Sequence, residues 1–189
     1  MVKYLICLAA LVLAACVPGL TPGRIGFANA KAPNYGQVAI EPNPSFFGEP
    51  PDAVAGWWNV AAGRPLFAIS AAPQIAFRVQ TPIFAAAEQD TGGFRIVAYA
   101  AQQRNPDGSM GSCTVYYDPT FVAFGVPGRH LSARVLAHEV GHCLELAGHQ
   151  TCAENQGVMS SCEFWQRAIA GWGPTAADNA QLRAAGYIP

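Results

Sequence analysis

Only four histidines occur in this chain of 189 residues, and three of them fall close together: His138, His142 and His149. Glu139 directly follows the first. Two histidines four residues apart on a helix lie on one face, one turn apart, so their imidazoles can converge on a single divalent ion. A catalytic zinc takes three protein ligands and keeps one position for water, whose pKa falls to about 7. A carboxylate beside the first ligand can take that water's proton and pass it to a leaving amine. The run His138-Glu139-Val140-Gly141-His142 therefore points to hydrolysis at one Zn²⁺, with Glu139 as the base. His149 is the leading third ligand, because imidazole suits zinc. Glu145, Glu154 and Glu163 remain alternatives. Glu145 stands three residues after His142, so on a continuing helix it would share the histidine face, as a ligand or as a partner to a histidine N–H. His130 precedes the helix and is expected at the surface or as a cap. Tyr116 and Tyr117 are expected to pack, although they could line a cleft.

These groups need elements to hold them. A helix is expected over residues 131–147, because Ala133, Leu136, Val140, Cys143, Leu144 and Ala147 recur at helical spacing and Gly148 can end it. A second helix is expected over 53–63, started by Pro50 and Pro51 and closed by Gly63, with Ala53, Trp57, Val60 and Ala61 on its periodic face. A third spans 176–185, with Thr175 as N-cap and Gly186 just past its end. Short apolar runs at 37–41, 66–70, 76–80, 94–100 and 113–117 read as strands. Asp90-Thr91-Gly92-Gly93 and Asn105-Pro106-Asp107-Gly108 are turn signals between them. The expected class is α+β, a single domain built on a twisted mixed sheet.

The N-terminus sets the compartment. Met1-Val2-Lys3 is a short positive start, and the apolar run over 4–15 is too short to span a bilayer comfortably. It ends in Leu13-Ala14-Ala15-Cys16, which resembles a bacterial lipobox. That resemblance implies removal of residues 1–15, lipidation of Cys16 and a tether over 16–34, leaving a domain at 35–189. Several acyl chains anchor firmly where one does not. Val17 rather than Asp after the cysteine favours the outer membrane. With Cys7 removed and Cys16 lipidated, Cys113, Cys143, Cys152 and Cys162 remain, an even number that suits two disulfides in an exported chain. Three pairings are open. Sequence proximity favours Cys152 with Cys162, which leaves Cys113 with Cys143; buried free thiols or zinc-ligating thiolates are the other readings.

The stretch from His138 to His149 resembles the zinc-binding consensus of the metzincin metallopeptidases, with the matrixins as the nearest branch. Gly157-Val158-Met159-Ser160 is similar to the Met-turn of that family, residues 53–63 with Trp57, Trp58 and Asn59 to its first helix, and 175–187 with Asp178 and Leu182 to its closing helix. The resemblance implies zinc held by His138, His142 and His149, Glu139 as base and then acid, and Met159 as a floor beneath the metal. It also implies a substrate lying extended along an edge strand, either 94–100 or 113–117. Two positions depart from the pattern. Glu145 stands where the family has the glycine that lets the chain leave the helix, and His149 comes one residue late. Gly148 is then expected to make the exit, after most of an extra turn. Ser161 replaces a tyrosine found in some branches, so no phenolic oxyanion stabiliser is assigned. A glutamate ligand further along would instead resemble the gluzincins.

Composition excludes some classes. Hydrophobic residues make up 51% and charged residues 12%, which is too apolar for a disordered chain. The formal net charge of -1 offers no basic surface for nucleic acid. No calcium loop is visible around Asp90, Asp107 or Asp118. The expectation is a monomeric, lipid-anchored zinc endopeptidase acting on protein or peptide substrates in the bacterial envelope. The alternatives are a zinc hydrolase of cell-wall peptides and an envelope lipoprotein whose structural or vestigial metal site serves an adaptor.

Overall fold

The computed structural model describes residues 26–31, 35–44, 50–80, 98–118, 131–146, 157–159 and 173–189. Its chain order begins with a 3₁₀ turn at Ala28–Ala30 and strand β1 at Val38–Ile40. Helix α1 (Ala53–Ala62), β2 (Phe67–Ile69), β3 (Ile75–Val79), β4 (Ala98–Arg104), β5 (Met110–Tyr117), α2 (Leu131–Cys143) and α3 (Ala176–Ala184) follow. The strands form one sheet in the order β2-β1-β3-β5-β4. β1 pairs in parallel with both β2 and β3, β3 pairs in parallel with β5, and only β4 runs antiparallel, against β5. The α+β class and the mixed sheet agree with the sequence reading.

Alternation builds the core face. Ile75 and Phe77 of β3, and Cys113 and Val115 of β5, are buried, whereas Arg78, which follows Phe77 on the other face, is exposed. Helix α1 buries Val54, Ala55, Trp58 and Ala62. Asp52 makes no side-chain cap to α1; Asn43 supplies it from outside, its Oδ1 accepting the Val54 N–H at 3.2 Å. Gly63 ends α1 at φ +64°. Asn59 then acts as a ladder partner to edge strand β2, accepting from Phe67 N–H at 2.7 Å and donating to Phe67 O at 3.1 Å.

Two expectations are corrected here. Among the described strands β5 lies inside the sheet and β4 at its edge, so residues 113–117 are not the edge strand. β4 also runs on past its expected end at Ala100, through Gln102, Gln103 and Arg104. Of the expected strand, residues 94–97 lie outside the described residues, as does the turn at 90–93. Gly26–Lys31, expected within the tether, is packed into the domain. Phe27 and Ala30 are fully buried, and the Phe27 N–H donates to the Tyr187 hydroxyl at 3.0 Å. The Gly26 carbonyl accepts from Met110 N–H at 2.9 Å. Arg64 binds the carbonyls of Ala30, Tyr35, Gly36 and Tyr187, joining this segment to the C-terminal end. Residues 1–25, with Cys16, lie outside the described residues.

Candidate metal centre

Helix α2 carries His138, Glu139 and His142. The Nε2 atoms of the two histidines face each other at 3.1 Å. Nitrogens that close share either a proton or a cation. Two imidazoles on one tetrahedral zinc, with bonds of ~2.0–2.1 Å, sit about 3.3 Å apart, so the pair fits such an ion with little adjustment. The other side of His138 is already settled: its Nδ1 lies 2.7 Å from the Val158 carbonyl. A carbonyl can only accept, so Nδ1 carries the proton and Nε2 presents its lone pair.

Val158 belongs to the turn Gly157-Val158-Met159, which is held from three directions. Arg134, on α2, donates to Gly157 O at 2.8 Å. Asp178, on α3, accepts the N–H groups of Val158 at 3.0 Å and Met159 at 3.2 Å. His138 completes the set. Asp178 also accepts from Thr175 N–H at 2.8 Å, within a capping box at the start of α3. A β-carbon on Gly157 would fall 1.8 Å from Asp178 Oδ2, so only glycine lets the turn approach this carboxylate. Gly141, between the two histidines, has a matching role: a β-carbon there would meet Met159 Sδ at 2.2 Å. Met159 is therefore packed against α2 at Gly141, one residue before His142. Trp58 packs at the same glycine and donates from Nε1 to Ala137 O at 3.1 Å.

Glu139 is 8% exposed. Burial raises its carboxyl pKa to about 8, with a smaller opposing pull from the Ala100 backbone N–H. Ala100 lies on edge strand β4. The acid is thus flanked by the histidines on its own helix and by the one antiparallel edge of the sheet.

The exit from α2 departs from expectation. The helix stops at Cys143, not at 147. Leu146 N–H donates to Gly141 O at 3.0 Å and Glu145 N–H to His142 O at 2.8 Å, which is a Schellman motif. Glu145 takes the left-handed position at φ +63°. The chain therefore leaves at Glu145 rather than at Gly148. Glu145 does not share the histidine face; its carboxylate pairs with Arg104 of β4. Among the described residues no set of three His, Cys, Asp or Glu side chains is grouped to hold a metal.

The sulfurs of Cys113 and Cys143 lie at bonding distance, 2.07 Å, joining β5 to the last turn of α2. His149, Cys152, Cys162, Glu154, Glu163, Ser161 and His130 lie outside the described residues. Tyr116 stacks on Tyr99 at 5.0 Å, and Tyr117 is half-buried against the core. Sequence reasoning did not assign the roles of Arg134, Asp178, Gln102 and Arg104. Only Asp178 left a local signal, standing three residues after the cap Thr175.

No model of a known protein family matches this chain, and no curated protein matches it. The site itself must carry the functional reading.

Proposed function

We propose that the domain is a zinc-dependent endopeptidase of metzincin type, carried outside the cytoplasm and held at the envelope by a lipid on Cys16. One observation carries the reading: the Nε2 atoms of His138 and His142 converge at 3.1 Å directly beside a buried, proton-avid Glu139. Supporting it are the fixed tautomer of His138 and the packing of Met159 against Gly141, both of which a solvated polar stripe would lack.

In this reading His138, His142 and His149 hold the ion. Zinc supplies Lewis acidity to the scissile carbonyl and acidity to the attacking water. Glu139 receives that water's proton on its carboxylate and later delivers it to the amine. Burial suits the carboxylate to this work by raising its basicity toward working pH. A nearby divalent charge favours its ionised form, which opposes burial and keeps the base available. Edge strand β4 offers main-chain groups to an extended peptide, which can add to the sheet as another strand beside Glu139.

The test uses the full mature protein, with a denatured protein and fluorogenic peptides as substrates. Cleavage is expected to stop with a chelator and return with zinc. Glu139→Gln is expected to retain the metal and lose about 10²–10⁴-fold in kcat. Parental activity in that variant, or a parent protein that takes up no zinc, overturns the reading. Mass analysis of the mature N-terminus checks the lipid separately.

A further inference from the structure

Helices α2 and α3 end in the same backbone motif with different residues at its critical position. At the end of α3, Tyr187 N–H donates to Leu182 O at 2.9 Å and Gly186 N–H to Arg183 O at 3.0 Å, with Gly186 at φ +81°. At the end of α2, Leu146 and Glu145 make the equivalent bonds, with Glu145 at φ +63°. Glycine enters the left-handed region without steric penalty; a residue with a β-carbon does not. Something outside the helix must therefore hold Glu145 there.

The holding groups come from the β4–β5 ladder and grip α2 residue by residue. Gln102 donates from Nε2 to the carbonyl of His142 at 2.5 Å. Cys113, which pairs with Gln102 across the ladder, is joined to Cys143. Arg104, on the same face of β4 as Gln102, donates from Nη2 to Glu145 Oε1. Arg104 is itself braced at the hairpin turn, where Nη1 donates to Gly108 O at 3.0 Å. The Glu145 side chain is 10% exposed, and the buried Lys31 ammonium adds a second attraction to its charge. Its Oε2 is buried with no hydrogen-bond partner among the described residues, so among them Arg104 supplies the hydrogen bond to this carboxylate.

We propose that Arg104 is a positioning residue for the metal centre. Its ion pair with Glu145 holds the turn after His142 in the conformation that glycine would adopt unaided. It thereby fixes where the chain leaves the helix directly after His142, and with it the last turn that carries this histidine. The metal part of this inference rests on the zinc reading above; the conformational part does not.

A mutant cycle separates the two. Arg104→Ala is expected to weaken Zn²⁺ binding, measured by competition with a chromophoric chelator, by about 10–100-fold, the range for groups that orient ligands. Glu145→Gly is expected to bind Zn²⁺ nearly as the parent does. In the Glu145→Gly background, Arg104→Ala should then change the affinity by less than about threefold, because glycine no longer needs to be held. Glu145→Asn, the next residue to tolerate this conformation, gives a second background. The same cycle is read without metal as urea midpoints of the chelator-treated protein: Arg104→Ala lowers the midpoint in the parent and leaves it unchanged in Glu145→Gly. Parental zinc affinity in Arg104→Ala, or an equal loss in both backgrounds, overturns the proposal. If the parent binds no Zn²⁺, the zinc reading fails, and the urea cycle alone decides whether Arg104 holds the turn.

Discussion

Two buried carboxylates on two helices, Asp178 and Glu139, receive opposite treatment from the same fold. Asp178 is fully buried and accepts from the N–H groups of Val158, Met159 and Thr175 and from the Thr175 hydroxyl. Glu139 is almost as buried, yet burial dominates its titration and the Ala100 N–H only partly offsets it. Taking a carboxylate out of water costs several kcal/mol unless charge-assisted hydrogen bonds replace the lost hydration. At Asp178 they do, and the charge becomes a structural joint between α3 and the Met159 turn. At Glu139 the Ala100 N–H is the opposing donor among the described residues, and burial outweighs it. Two similarly buried acids thus differ, among the described residues, in the number of donors aimed at them.

The comparison breaks most readily on the structural side. Asp178→Ala leaves the Val158, Met159 and Thr175 N–H groups without their acceptor, and is expected to cost about 3–5 kcal/mol of stability in urea denaturation. Asp178→Asn, which keeps one accepting oxygen, should fall between that variant and the parent. A loss below about 1 kcal/mol in Asp178→Ala would mean that the turn is held by Arg134 and His138 alone. A smaller effect tests the same joint from the other side. Gly157→Ala puts a methyl group into the space of Asp178 Oδ2 and is expected to cost about 1–3 kcal/mol. That cost should shrink in the Asp178→Ala background without vanishing, because the Thr175 hydroxyl would still stand 2.5 Å from the added carbon. Additive losses would show that the methyl group collides with something other than the carboxylate.

How much of this was legible in the sequence follows from whether the deciding force was local. The histidine pair was, because four-residue spacing on a helix is a statement about one face. The extents of α1 and α3 were, since Gly63 and Gly186 mark their own ends. The end of α2 was not. Its apolar pattern runs on through Leu144 and Ala147, and no glycine stands at the exit. Arg104, far away in sequence, accompanies the stop there. The far end of β4 was missed for a related reason: its last residues, Gln102 to Arg104, are polar, and they serve the end of α2 rather than the core. Asp178 was visible as part of a closing helix, but its hold on Val158 and Met159 is a tertiary fact. The docking of Gly26–Lys31 was hidden likewise, since Phe27 finds its partner in Tyr187.

The Glu139 side of the comparison gives the smallest and most diagnostic effect. Glu139 in the metal-free protein has a folded pKa of about 8 against an ordinary value of 4.5. Between those values the folded chain holds a proton that the unfolded chain has released. Stability therefore falls as pH rises through the window from about 4.5 to 8, and is independent of this group outside it. The slope in chelator-treated protein is expected to reach up to about 1 kcal/mol per pH unit. Glu139→Gln cannot titrate, so subtracting its curve from the parent's removes contributions common to both, those of the histidines included. The difference should slope downward with pH in metal-free protein and flatten once Zn²⁺ is loaded, because a neighbouring cation lowers the carboxyl pKa toward its unfolded value. A flat difference curve without metal would mean that Glu139 is as well solvated by donors as Asp178, and the contrast between the two acids would disappear.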